Sequence, residues 1–379
     1  MNMYEVIPVE KVIQYVTIQG LVVPETSFDR MLLCLMMRKF TFKARKACCL
    51  MWKHKFSQSA TTKLITKELD AMYADSAVKH AKLVIEGAEA YGGYPWRHMR
   101  KFFLFCRGSK WEEFGNRNIK YIDFVENENY FKTKIKYIGS LTKWINCRVY
   151  FGKRYTSVMK ELWELAKNHE EGIPVRISYN FDKKRFYCHV SVPLWLYLKY
   201  FRIYDKPLLD VDRYAVGVDL GSTFVKWVVV DVETWKPIKW FESTFPQISQ
   251  PGYPKEKAWN EIVQEVDKAL QWLYNYGVSI VFLENLFKVK KSKKPSCKSS
   301  RTRRKVTRFM KRKLLTWLAL RCLKYGFKTY LVDPKDSSLS AKYLSKYLWK
   351  VDKDYGAAYV IVLRGLQYLS KHMKTYTII

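Results

Sequence analysis

Apolar and polar positions change period along the chain, and the changes divide it. Residues 8–19, PVEKVIQYVTIQ, are rich in β-formers and read as a strand. From Ser27 to about Trp96 the apolar residues recur at helical spacing. Within that stretch, SAVKHAKLVIEGAEAY (76–91) predicts a helix capped by Asp75 or Ser76 and stopped by GGYP. From 97 to 195 the period falls to two. WINCRVYF alternates Ile145, Cys147, Val149 and Phe151, and VRISYNFDKKRFYCHVSVPL predicts a hairpin turning between Asn180 and Lys184, with Phe186, Cys188, Val190 and Val192 on one face. YDKPLLDVDRY reads as a linker and sets a boundary near residue 208.

Beyond that boundary the pattern mixes both periods. AVGVDLG and VKWVVVDV are predicted strands, and PIKWFESTF is a third. Residues 255–276 form an amphipathic helix, SIVFLENL a buried strand, 306–325 a helix ending at Gly326, KTYLVDP another strand, and 354–371 a final helix. Three adjacent strands, then helix, strand, helix, strand and helix, is the order of an RNase H-like layer fold, so the class expected is α/β.

Three carboxylates stand where apolar elements end or begin. Asp219 closes AVGVD, Glu284 closes IVFLE, and Asp354 sits where the last apolar helix starts. Two have a plain reading: Asp354 as a helix N-cap and Glu284 as the partner of the cations that follow it; a carboxylate after IVFL is too costly to bury without a partner. In this order and on these elements they also predict a shared cation site. Carboxylates are hard-oxygen ligands, and the ions expected are two Mg²⁺ about 3.5–4 Å apart, with Mn²⁺ as the alternative. Such a pair activates water and stabilises the leaving oxygen of a phosphodiester. The stretch DLGST also resembles the phosphate-binding turn of sugar kinases and Hsp70-like ATPases. That class needs a second phosphate motif and a glycine-rich adenosine motif, and 232–379 holds neither.

Charge narrows the partners. The 68 Lys and Arg against 35 Asp and Glu leave a net charge of +33 on 379 residues, an excess that calls for a polyanion, nucleic acid foremost. No apolar run approaches the ~20 residues of a spanning helix, so no membrane is expected, and MNMYEVIPVEKV has no signal-peptide core. Fourteen of the cations lie in 288–313, KVKKSKKPSCKSSRTRRKVTRFMKRK, which holds no acid. Its first half reads as a loop; its second opens a helix with Val306, Phe309, Met310, Leu314 and Leu315 on the inner face. Beside a phosphodiesterase site this segment is expected to clamp a nucleic-acid backbone without reading sequence. The contacts would come from Lys288, Lys290, Lys291, Lys293, Lys294, Lys298, Arg301, Arg303, Arg304, Lys305 and Arg308. Aromatic residues often adjoin cations, as in MWKHKF and YPWRHMRKFF, which suits base stacking beside phosphate contacts. The eight cysteines form no C-x-x-C pair and read as reduced thiols of a cytoplasmic protein, and the six histidines have no metal-ligand spacing.

GVDLG, FLEN and DKDYGAAYVIVLRG, in that order, resemble the three RuvC motifs of TnpB, the transposon-encoded RNA-guided nuclease family, and of the related type V CRISPR effectors. The third motif commonly reads D-x-D-x-N-A-A in that family. Here it reads Asp352, Lys353, Asp354, Tyr355, Gly356, Ala357, Ala358, so the resemblance puts the catalytic role on Asp354, and Gly356 replaces the usual Asn. It implies a RuvC nuclease domain over 208–379 and a wedge β-barrel over 101–207 with strands from 1–22. A helical recognition lobe would be inserted at 23–100. It further implies an RNA-guided DNA endonuclease with guide RNA and target DNA as partners and Asp219, Glu284 and Asp354 as metal ligands. The basic segment would be a lid, and a short flanking DNA motif would be read around Lys53, His54, Lys55 and Gln58. The family's four-cysteine zinc module is missing. Residues 335–351 hold no cysteine, so no zinc is expected, and Leu339, Tyr343, Leu344, Tyr347, Leu348 and Trp349 are expected to replace it by packing. Two other functions stand as alternatives: a guide-independent RNase H or resolvase-type endonuclease, which needs no large basic N-terminal half, and a nuclease-inactive RNA-guided DNA-binding protein, against which the intact trio argues.

Overall fold

A computed structural model describes residues 5–91, 94, 95, 99, 102–138, 143–209, 211–221, 223–246, 253–287, 308–335, 337–344 and 352–373. The chain is mixed α/β and divides into two compact units. Met1–Gln14 and Phe201–Ile379 form one, and Tyr15–Tyr200 the other. It opens on strand β1 (Val6–Pro8) and a short helix α1 (Val9–Val12), both in the first unit. Among the described residues no helix is long and apolar enough to cross a membrane.

The Tyr15–Tyr200 unit starts with β2 (Tyr15–Pro24) and then three helices, α2 (Ser27–Lys53), α3 (Gln58–Thr66) and α4 (Ala71–Tyr91). Thr26 caps α2 by accepting from the Asp29 amide at 3.0 Å. Helix α4 begins before the expected cap. Asp70 accepts from the Met72 amide at 3.0 Å, which starts the helix there. Asp75 then falls inside the helix, ion-paired with Lys79 at 3.3 Å and Arg107 at 2.8 Å.

Six more strands complete a seven-stranded sheet: β3 (Phe103–Cys106), β4 (Ile119–Val125), β5 (Tyr130–Tyr137), β6 (Lys143–Phe151), β7 (Val175–Asn180) and β8 (Arg185–Pro193). Their order is β3-β7-β8-β2-β6-β5-β4, all antiparallel. The alternation expected in β6 and β8 is the alternation that buries Ile145, Cys147, Val149, Phe186, Cys188, Val190 and Val192. The sequence reading expected a barrel. Among the described residues β3 and β4 instead remain the two edges of the row. A side chain joins what a strand pair does not. Buried Asn116 donates to the Ile173 carbonyl at 2.8 Å and accepts from the amides of Asn118 and Ile119 at 3.0 Å each. Helix α5 (Lys153–Lys167), missed by the period-two reading, packs beside β4: Trp163 donates to the Tyr121 carbonyl at 2.7 Å, and its ring meets Phe131 at 6.0 Å. Helix α6 (Leu194–Phe201) follows β8.

The first unit holds β9 (Tyr214–Leu220), β10 (Phe224–Asp231), β11 (Pro237–Thr244), α7 (Lys255–Asn275), β12 (Val278–Glu284), α8 (Arg308–Lys324), β13 (Lys328–Val332), α9 (Ser337–Leu344) and α10 (Lys353–Met373). The sheet runs β1-β13-β12-β9-β10-β11. Strand β12 lies parallel to both β9 and β13, and β10 lies antiparallel to β9 and β11. The unbroken apolar text of β9 and β12 suits strands covered on both faces. Helix α10 packs Ala358, Ile361, Val362 and Leu366 on one face, with Ala215, Val228, Ile280 and Phe282. On the other face Trp227 stacks on Phe241, which meets Trp272 of α7 at 4.9 Å. Helix α8 joins α7 through the Arg321–Asp267 pair, bonded at 2.8 and 2.6 Å.

Two boundaries differ from the sequence reading. Residues 1–22 are expected in the wedge; 15–22 do lie in the Tyr15–Tyr200 unit, whereas β1 pairs antiparallel with β13, Val6 opposite Val332, and so covers that apolar edge. At the other end the division falls at residue 200 rather than 208. Ile203 and Tyr204 already bond to the Lys324 carbonyl, and Tyr204 stacks on Tyr274 at 3.7 Å. Leu314 and Leu315 are buried in α8; Val306 and the side chains of Phe309 and Met310 lie outside the described residues. In α9 the helical phase turns Leu339 outward, 67% exposed, while Ala341 and Leu344 face the core. Tyr347, Leu348, Trp349 and the side chain of Tyr343 lie outside the described residues.

Candidate active site

Register places two of the three carboxylates side by side. Val218 of β9 is opposite Leu283 of β12. One residue further along these parallel strands come Asp219 and Glu284, on the same face as Ala215, Phe282 and the rest of the α10-covered core. Asp219 is in turn opposite Lys226 of β10, and Lys226 is opposite Glu242 of β11. One row of the sheet therefore carries Glu284, Asp219, Lys226 and Glu242.

Helix α10 brings the third carboxylate to the same end. A Cβ added to Gly217 would stand 2.0 Å from the Ala358 carbonyl oxygen, and one added to Gly365 would stand 2.2 Å from the Phe282 ring. Strand and helix thus touch backbone to backbone, which only glycine allows. Asp354 precedes Ala358 by one helical turn, and Asp219 follows Gly217 by two residues. Both therefore lie at the carboxyl end of β9. Contacts of Lys226 fix the direction: its Nζ is 3.7 Å from Asp352 and 4.4 Å from the ring centre of Tyr355.

The capping role falls on Asp352. Its carboxylate accepts from the Asp354 amide at 3.3 Å. Asp354 is thus inside the first turn, where the helix dipole favours a negative charge. Beyond β13, buried Arg364 of α10 donates to the carbonyls of Asp333 and Lys335 at 3.1 and 2.6 Å, tying that loop to the helix.

Asp219, Glu284 and Asp354 are half-buried, and each takes part in a hydrogen bond, ion pair or electrostatic interaction. Three carboxylates are the right donors for Mg²⁺ or Mn²⁺. Among the described residues, however, no group of three or more His, Cys, Asp or Glu side chains is placed to hold a metal ion. The backbone places the three residues at one end of the sheet.

Lys226 escaped the sequence reading. It is buried, with its ammonium paired to Glu242 and lying 5.2 Å from the ring centre of Phe224. Burial pulls its pKa down, but the Glu242 hydrogen bond and the charges of Tyr355, Glu242 and Asp352 outweigh that and hold it above the usual lysine value. The available signal was a lone cation inside FVKWVVVD.

Of the expected nucleic-acid contacts, the eleven from Lys288 to Arg308 fall outside the described residues, except for the backbone of Arg308 at the start of α8. Lys53 ends α2, and Lys55 turns the chain at a φ of 56° with its ammonium over the Trp52 ring at 5.4 Å. Gln58 opens α3 behind the cap residue Ser57 and lines a cleft of about 490 Å³ with Thr62, Lys63, Asp75 and Lys79.

A family model for the SSO2105 N-terminal domain matches residues 15–202. The uncharacterized protein SSO2105 of Saccharolobus solfataricus is 33% identical over 304 residues, 79% of this chain and 79% of its own. The chain belongs to the SSO2105 family. An uncharacterized protein of Aeropyrum pernix is 23% identical to this SSO2105-family chain over 343 residues, 85% of this chain and 86% of its own. Among solved structures, Cas12f1 in a complex with sgRNA and target DNA has a TM-score of 0.43 and 11% identity, over 88% of the SSO2105-family chain and 81% of that chain. A CRISPR-Cas12f ternary complex has a TM-score of 0.32 and 12% identity, over 88% and 80%.

Proposed function

We propose that this chain is an RNA-guided DNA endonuclease of the TnpB kind. In this reading the unit of residues 201–379 is its RNase H-like RuvC domain. The unit of residues 15–200 is a wedge domain with an inserted helical recognition lobe. One observation carries the reading. Asp219 and Glu284 stand side by side on parallel neighbours, one residue past the Val218–Leu283 pair, and Asp354 lies one turn before the helix–strand contact that flanks them. The sheet order supports it too, with a three-strand antiparallel meander followed by two strands parallel to its first.

Asp219, Glu284 and Asp354 would hold two Mg²⁺ ions, which when bound activate a water and stabilise the departing 3′ oxygen. The chain's own work is positional. Gly217 and Ala358 let α10 approach closely enough for its first turn to share an edge with the two strand ends. The cations of 288–313 would grip phosphates, while base pairing with a guide RNA sets the sequence cut.

Asp219→Ala is expected to abolish DNA cleavage while leaving RNA and DNA binding intact. Equal cutting by the variant would refute the assignment. RNA should co-purify with the wild type; full cutting by protein free of RNA would point to the guide-independent nuclease instead.

A further inference from the structure

An ammonium with a side chain 8% exposed needs partners, because an unpaired buried charge is costly. Lys226 finds them on two elements besides its own strand. Glu242 comes from β11, and Asp352 and the Tyr355 ring come from the first turn of α10. Asp352 continues the chain of contacts, because the same carboxylate accepts from the Asp354 amide. Lys226 thus reaches the backbone of Asp354 through one intervening side chain, and it does so from the position opposite Asp219.

We infer that Lys226 is a positioning residue, which holds the first turn of α10, and with it Asp354, at the strand ends carrying Asp219 and Glu284 by anchoring the start of α10 to β10 and β11. The inference rests on the nuclease reading of this carboxylate edge. Two effects of the lysine have opposite signs. As a nearby positive charge it repels a metal ion, so its loss alone would tighten metal binding. As an anchor it holds a ligand in place, so its loss weakens metal binding. Anchoring dominates here because Glu242 and Asp352 already neutralise the ammonium locally.

The test titrates Mn²⁺ into the full-length chain, treated with ribonuclease and washed free of nucleic acid in high salt, and reads the free ion by its EPR signal. Lys226→Met is expected to weaken Mn²⁺ binding about tenfold, the usual effect of losing a residue that orients a ligand. Lys226→Arg should recover most of that loss. A purely structural role would lower the metal-free melting temperature of Lys226→Met and leave its Mn²⁺ affinity unchanged. Binding as tight as, or tighter than, wild type in Lys226→Met, with binding lost in Asp219→Ala, overturns the positioning role and spares the nuclease reading. Binding unaffected by Asp219→Ala sinks both. If Lys226→Met fails to fold, Glu242→Gln and Asp352→Asn replace it, and weakened binding in both is then the required result.

Discussion

His80 shows what a single side chain imposes on the chain's response to acid. Its ring lies 4.7 Å from Phe103, and burial first, then the charge of Arg176, pulls its pKa down to about 4. The unfolded chain takes up that proton near pH 6.5, so between pH 6.5 and 4 the unfolded state binds more protons than the folded one. Stability is therefore lost as pH falls through this window, by at most about 3 kcal/mol. His189 shifts in the same direction and adds the same sign. His80→Gln should flatten the decline of the urea midpoint between pH 6.5 and 4, and an unaltered decline would refute the buried neutral ring. None of this was legible beforehand, because a histidine's burial depends on which strand slides beneath its helix. The carboxylates were legible, since each interrupts or follows an apolar run. Lys226 was visible as a residue but not as a partner, because strand register does not show in the text of one strand. Asp352 and Asp354 look alike in sequence, and only the direction of one hydrogen bond separates cap from candidate ligand.

At the scale of elements, small residues decide how helices meet. A Cβ on Gly356 would stand 2.9 Å from the Ala341 carbonyl oxygen and 3.3 Å from its Cβ, so α9 and α10 cross almost in backbone contact. That close crossing lies in the segment where no zinc is expected and packing is expected to take its place. Gly356→Asn is expected to cost about 1–3 kcal/mol in urea denaturation through overpacking. No loss would mean that α9 yields freely. The strands were read correctly where alternation was strict. Of the large apolar residues expected to pack here, Leu344 does so and Leu339 points outward, while the small Ala341 makes the closest contact. Helix α5 was overlooked for a related reason. Its buried set, Val158, Met159, Leu162 and Ala166, is sparse and separated by charges.

For the whole molecule the governing quantity is charge. Under the proposed function, a net +33 would make nucleic-acid binding a counterion-release process. A footprint of 6–10 phosphates loses roughly 10³–10⁵ in affinity between 50 and 200 mM salt. Replacing residues 288–305 by a Gly/Ser linker of equal length should flatten the slope of log affinity against log salt, measured by filter binding. An unchanged slope would remove that segment from the interface. Composition makes the charge legible, but it does not reveal how the chain threads its two units. The first unit is assembled from both ends of the described chain, with β1 seated on β13. On a ribosome adding roughly 5–20 residues per second, Val6–Pro8 emerges on the order of half a minute before Leu331 and Val332 exist to receive it. Residues 15–200 are complete well inside that interval and free to collapse first. Strand β1 therefore waits, unpaired by β13, until residues 330–332 have been made, and the Asp354 side of the carboxylate edge is made later still.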